Sequence, residues 1–205
     1  MLNVVVPLAG TGIRFLREGY GRPKPFIKAL GKELLLWLLE NLSLEATDTL
    51  VLVFNGTPDI GPSPKNFFTV IDDAFNSTLA KQKPTVVYVC LDEHTVGAAE
   101  TVLYGIDALP PERIDLPCVL LDGDTFYTHD VLKNFRDYYN DAVKNQMRQS
   151  GGCVFVFEDD RPFENPYSYV KTDESMRIIR IQEKNKDGMS SLACSGCYCF
   201  LELTH

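Results

Sequence analysis

An α/β fold, with a mixed and mostly parallel sheet flanked by helices, is what the sequence predicts, on three observations. Short β-branched and leucine-rich runs recur at residues 2–6, 50–54, 85–91 and 118–121, each bounded by turn residues. Segments of helical character fill the intervals between them, and alternation of this kind implies parallel pairing through right-handed crossovers. The runs empty into loops of glycine, asparagine or aspartate, at the edge where such sheets collect their ligands.

Taken in order, the first run leads into Gly10-Thr11-Gly12-Ile13-Arg14, and Pro23-Lys24-Pro25 follows. Gly31-Lys32-Glu33 then introduces LLLWLLENL, whose length and leucine content predict a buried helix. The run at 50–54 stops at the turn pair Asn55-Gly56. Ser63 and Pro64 suit the cap and first position of a helix reaching about Lys83, with Phe67, Phe68, Ile71, Ala74, Phe75 and Leu79 at helical spacing. After the strand at 85–91, Thr95 is expected to cap a helix through about Leu109, ended by Pro110 and Pro111. The strand at 118–121 gives way to Asp122-Gly123-Asp124, and a helix is predicted from Asp130 to about Gln149. Beyond it the pattern changes to strands at 153–157, 167–172, 177–182 and 193–201, with turns at Asp159-Asp160 and Lys186-Asp187-Gly188. A parallel half (1–125) and a more antiparallel half (126–205) in one domain follow from that change.

Composition bounds the function. With 205 residues, 45% hydrophobic and 23% charged, the chain is globular and long enough for a real core. Its formal net charge of −8 argues against a nucleic-acid or anionic-membrane surface, since both need a concentrated positive field. No run approaches the apolar length that spans a bilayer, and the N-terminus lacks a basic start, so a cytoplasmic location is expected. The six cysteines (90, 118, 153, 194, 197, 199) read as reduced thiols, most of them in apolar strands. Cys194-Ser195-Gly196-Cys197 is formally a CxxC, yet no second CxxC or histidine pair accompanies it, and core strand is the better reading.

The glycine segment reads as a place for phosphate. Without a Cβ, Gly10 and Gly12 let backbone N–H groups approach an anion, Arg14 adds a planar fork, and Lys24 adds an ammonium stiffened by its flanking prolines. Two common phosphate loops are excluded: Phe15 stands where GxGxxG needs its third glycine, and no GK[ST] follows. Asp122 and Asp124 offer hard oxygen ligands suited to a magnesium ion (Mg2+) holding nucleotide phosphates. His94, His129 and His205 lack the partners of a catalytic triad.

The segment VPLAGTGIRFLREGYGRPKPFIKALGKELLLWLLENL resembles the LAGGxGxR…PKP signature of nucleotidyltransferases that join a nucleoside triphosphate to a sugar phosphate, in a loop one residue shorter than the commonest form. Its GY before PKP resembles a bacterial-type subgroup of sugar-phosphate or phosphocholine nucleotidyltransferases. Later segments extend the resemblance: HTVGAA resembles the base-wrapping segment, DGD the metal-binding aspartates, YSYV the YGxV segment, EKN the EKP element and SGCY the sGxY segment.

The resemblance implies a Rossmann-like fold of the GT-A type in a single domain, with 1–125 as the nucleotide-binding half and 126–205 as the acceptor-binding half, and a role for each matching residue. Leu8, Ala9, Gly10, Thr11, Gly12, Gly97, Ala98 and Asp122 would contact the nucleotide; Arg14 and Lys24 would be catalytic; Asp124 would hold magnesium; and Tyr169, Glu183, Lys184 and Gly196 would contact the phosphorylated acceptor. Asn185 stands where proline is usual, and Ser168 where glycine is usual, which bears on acceptor identity. A second metal ligand would come from an aspartate after the final core strands; here the chain stops at LELTH with Glu202 as the nearby acid, and a domain cut from a longer protein is expected. The activity implied is transfer of NMP from an NTP to a sugar 1-phosphate. Transfer from CTP to phosphocholine or a similar head group is an alternative, with Tyr167, Tyr169 and Glu164 as candidate cage residues. A nucleotide-binding regulatory domain without turnover is the alternative of another class.

Overall fold

The computed structural model describes residues 1–56, 65–79, 83–144, 151–161 and 165–202, with backbone alone at 65–67. In chain order its strands are β1 (Asn3–Leu8), β2 (Lys28–Ala29), β3 (Lys32–Glu33), β4 (Thr49–Asn55), β5 (Thr85–Leu91), β6 (Cys118–Leu121), β7 (Gly152–Glu158), β8 (Ser168–Thr172), β9 (Ile178–Glu183) and β10 (Leu192–Phe200). Its α-helices are α1 (Ile13–Arg17), α2 (Leu34–Glu40), α3 (Lys65–Asn76), α4 (Ala98–Asp107) and α5 (Val131–Lys144).

The main sheet runs β5-β4-β1-β6-β10-β8-β9, with β7 along the other edge of β10. Strands β5, β4, β1 and β6 are parallel, in registers such as Val5 opposite Val51 and Val4 opposite Val119. From β10 onward the pairing is antiparallel: β10 meets β6 through residues 197–200, β7 through 192–194 and 197–200, and β8 through Ala193 opposite Tyr169. The α/β class and the change from parallel to antiparallel are therefore as the sequence predicts.

Alternation of side chains across β1 divides the core. Val4, Val6 and Leu8 face Leu50, Leu52, Phe54, Val119 and Leu121 in the larger core, which α2, α3 and α5 cover with Leu35, Leu38, Leu39, Ile71, Phe75, Leu132 and Phe135. On the opposite face Val5, Val51 and Val53 form a smaller core. Helix α4 lies close against it at Gly105, where a Cβ would stand 2.8 Å from Val5 Cγ1. Asp48, fully buried, fastens three parts of the fold: it accepts from the backbone N–H groups of Leu2 and Glu45 at 2.8 Å each and from the Arg136 guanidinium of α5 at 2.5 Å.

Several boundaries differ from the sequence expectation. Strand β1 continues through Pro7 to Leu8. Thr95 does not cap α4; the helix starts at Ala98 behind Gly97, Glu100 reaches back to the Val96 N–H at 2.6 Å, and the Thr95 hydroxyl lies 2.8 Å from that of Thr101. Helix α4 ends at Asp107, before the two prolines, and Pro111–Arg113 forms a 3-10 turn. Helix α3 stops at Asn76 rather than near Lys83; the expected cap at Ser63 and Pro64, and the end of the last helix at Gln149, lie outside the described residues. Short elements were not legible: α1, and the β2–β3 hairpin, which turns on Leu30 (φ 53°) and Gly31 (φ 85°). Among the described residues no helix is long and apolar enough to cross a membrane. None of the six cysteines is in a disulfide, and Cys194 and Cys197 sit in the core strand β10.

Candidate active site

The carboxyl ends of β1 and β6 bring the glycine loop and the DGD loop together. A cavity of about 460 Å³ opens between them, lined by Leu8, Gly10, Thr11, Gly12, Arg14, Lys24 and Asp124 among others. Gly12 is left-handed (φ 59°) at the start of α1, and the Lys24 Cβ packs over it, 3.5 Å from where a Gly12 Cβ would be. Lys24 opens a 3-10 turn behind Pro23, and its ammonium is bonded to Asp124 Oδ2 and lies 5.5 Å from the centre of the Phe15 ring. Arg14 is exposed at the rim.

A second cavity, of about 690 Å³, lies on the other side of the DGD loop and shares Asp124 with the first. Its wall is aromatic, with Phe126, Tyr127, Phe155, Phe157 and Tyr167, and Asp122, His129, Asn134, Ser195 and Gly196 supply the polar groups. The bulge in β10 sets its floor. Gly196 is left-handed (φ 81°), its carbonyl accepts from the Asp122 N–H at 2.8 Å, and a Cβ there would lie 2.8 Å from Asp122 Cβ. A third cavity of about 490 Å³, mostly apolar, takes in Pro7, Ala98, Asp122, Tyr198, Phe200 and Glu202.

The residues singled out in the sequence are thus only partly brought together. Leu8, Gly10, Thr11, Gly12, Arg14, Lys24 and Asp124 converge on the first cavity; Asp122 and Gly196 line the second. Ala9 is buried beneath, in the smaller core. Gly97 is the extended residue (φ 175°) before α4, and Ala98 faces the third cavity. Tyr169 lines none of the three: it is fully buried, and its hydroxyl donates to Asp159 Oδ2 at 2.6 Å. Glu183 and Lys184 stand outside the second cavity, ion-paired with each other at 3.3 Å, the Glu183 carboxylate accepting from the Ser168 hydroxyl. Lys184, left-handed at φ 50°, donates its backbone N–H to the Tyr167 carbonyl at 2.9 Å. Phe126, Tyr127, Phe155 and Phe157 were not singled out; their only signal was aromatic residues after DGD and at alternate positions of a strand.

Burial raises the Asp122 carboxyl from 3.8 to about 6, the Asp124 charge adds to the rise, and Lys24 opposes it. A cation set against the two carboxylates would relieve that crowding, so the donor set fits magnesium. Among the described residues no group of three or more His, Cys, Asp or Glu side chains gathers for a metal. The raised carboxyl also has a consequence for stability in a chelator. Folded Asp122 holds its proton more tightly than an unfolded aspartate, so its contribution is full below about pH 4 and is lost as pH rises through about 6. Thermal melts should show Asp122→Asn gaining on the wild type between those limits and keeping a constant lead above them; parallel curves would remove the argument.

The family model described as nucleotidyl transferase matches residues 4–203. No curated protein sequence matches the chain with significance. Among solved structures, a nucleoside-diphosphate-sugar pyrophosphorylase from Vibrio cholerae RC9 is 22% identical, with a TM-score of 0.68 over 97% of this chain and 73% of that one. A UDP-glucose pyrophosphorylase complexed with UDP-glucose is 20% identical, with a TM-score of 0.72 over 98% of this chain and 76% of that one. A UTP-bound UGPase from Acinetobacter baumannii is 18% identical, with a TM-score of 0.69 over 99% of this chain and 75% of that one. At these identities the likeness is one of fold.

Proposed function

Since the chain belongs to the nucleotidyl transferase family, matched over residues 4–203, we propose that it transfers NMP from an NTP to a sugar 1-phosphate, releasing pyrophosphate. The observation that carries the reading is that Asp124, with Lys24 bonded to it, borders both the glycine-loop cavity and the aromatic one. A group transferred between two substrates has to stand at such a boundary. The UDP-glucose and UTP complexes among the structural neighbours support the sugar-nucleotide class.

In this reading the triphosphate lies along Gly10, Thr11 and Gly12, whose N–H groups and the Arg14 guanidinium take charge from the leaving pyrophosphate. Lys24 moves from Asp124 to the α-phosphate as the nucleotide enters. An acceptor phosphate oxygen forms its bond to the α-phosphorus as the bond to the bridging oxygen breaks, and the electron pair leaves with pyrophosphate. The attacking oxygen is already anionic, so no general base is required, and the protein contributes position and charge neutralisation. Magnesium, held by Asp124 with Asp122, would supply neutralisation at the nucleotide phosphates.

A phosphorylated amine is a second acceptor class, favoured by the five aromatic side chains and two aspartates of the second cavity, whose lining among the described residues includes no lysine or arginine. Of the cage residues expected for it, Tyr167 lines the cavity, Tyr169 does not, and Glu164 lies outside the described residues. Pyrophosphate release tests both readings, with magnesium, each NTP in turn, and a panel of sugar 1-phosphates plus phosphocholine. Release that needs one NTP and one sugar 1-phosphate is the expected result; dependence on phosphocholine selects the second class. Nucleotide binding with silence across the panel would leave a binding domain without turnover.

A further inference from the structure

Behind the aromatic wall of the second cavity sits a buried carboxylate that the reaction does not use. Asp159, 5% exposed, closes β7's end with both oxygens engaged: Arg161 Nε donates at 2.7 Å, the Tyr169 hydroxyl at 2.6 Å, and Lys186 Nζ lies at 3.1 Å. Lys186 also donates to the carbonyls of Asp159 and Arg161, at 2.8 and 2.9 Å, and stands 4.9 Å from the centre of the Tyr169 ring. The hydrogen bonds from Arg161, Tyr169 and Lys186 hold the Asp159 carboxyl well below the usual range, so it is an anion wherever the protein works.

A buried ionic cluster adds little stability over an apolar replacement of the same volume, whereas its hydrogen bonds fix the direction of each partner. Here the geometry held is that of Arg161. Its guanidinium lies 5.0 Å from the centre of the Tyr167 ring, and Tyr167 lines the cavity, edge-on to Phe157 with centroids 5.0 Å apart. The Lys184 N–H fixes the Tyr167 backbone from the other direction. Tyr167 stands at the open end of the β8–β9 ladder, bonded there through the Lys184 N–H, and Arg161 and Phe157 flank its ring.

We propose that Asp159 and Arg161 are positioning residues for the acceptor: Asp159 aims Arg161, Arg161 pins the Tyr167 ring, and the pinned ring sets the fit of the group carried on the acceptor phosphate. The proposal deepens the transferase reading and rests on it, because it takes the second cavity as the acceptor room. It also gives Tyr169 and Lys184 a place in acceptor binding that acts through Tyr167 rather than by contact. Neither Asp159 nor Arg161 lines the nucleotide cavity, so the effect is confined to one substrate.

The test is steady-state pyrophosphate release with the NTP and acceptor that support turnover, read as separate KM values, with thermal melts alongside. Arg161→Met leaves the buried Asp159 to Tyr169 and Lys186, so the protein is expected to fold with a lowered melting temperature, and the substrate-specific KM rather than the melt is the readout. The substitution should raise the acceptor KM about fivefold to tenfold and leave the NTP KM within about twofold. Arg161→Lys, which keeps a cation for the ring but loses the Nε hydrogen bond to Asp159 Oδ1, should fall between. An acceptor KM that does not move, or KM values for both substrates that rise together, overturns the proposal and leaves the transferase reading standing. Wild-type silence with every acceptor overturns both.

Discussion

Lys24→Met and Asp124→Asn should each lower pyrophosphate release by about 100- to 1,000-fold, the range seen when one preorganised group facing transition-state charge is removed. The two residues meet at the boundary of the two cavities, so each variant removes a charge where the bond changes hands. Stability should hardly respond. The pair is about one-third exposed at Lys24 and more at Asp124, and such pairs contribute about 0–1 kcal/mol. Melting temperatures within about 3 °C of wild type are therefore expected. In Lys24→Met the Asp122 carboxyl also loses the one charge that lowers it, so its proton should be held more tightly still. A fall in melting temperature that parallels the fall in turnover would assign the pair to the fold instead.

Gly196→Ala carries the second large effect, and by a different route. A left-handed backbone at φ 81° strains any L side chain, and the new methyl would press on the Asp122 side chain, 2.8 Å from its Cβ and nearer still to its carboxylate. Strain and overpacking together are expected to cost about 2–5 kcal/mol, or about 5–15 °C in melting temperature. The same bulge holds the Asp122 N–H, so turnover measured well below the melting point should also fall. Gly10→Ala is the control. Its Cβ would meet nothing within 4 Å, so stability should be unchanged while any loss of turnover reports the approach of phosphate to that backbone. A Gly196→Ala protein as stable as wild type would remove the bulge from the account of Asp122.

Much of the site was legible because its residues lie where strands end. The runs at 85–91 and 118–121 coincide with β5 and β6, and alternating strand and helix forces parallel pairing. Parallel pairing puts the ends of β1 and β6 side by side, so Gly10, Lys24 and Asp124 had to meet. Helix starts were read less well. Thr95 has the chemistry of a cap, yet a competing bond from the Val96 N–H to Glu100 moved the first turn on to Ala98.

The sequence by itself determined the sheet class, the parallel half, and the loop that gathers glycine, cation and carboxylate, because each follows from local period and chain direction. Only the tertiary structure decided which side chains line the second cavity. Tyr167 and Tyr169 are equivalent in a linear reading, but Tyr169 is turned into the core by its place opposite Ala193 in the ladder, while Tyr167, ahead of the strand, is held at the cavity by Arg161 and Lys184. Likewise the aromatic wall joins Phe126 to Phe155 and Phe157 through pairing of β7, β10 and β6, contacts between segments far apart in the chain. Periodicity tells which residues share a face; only long-range pairing tells what that face meets.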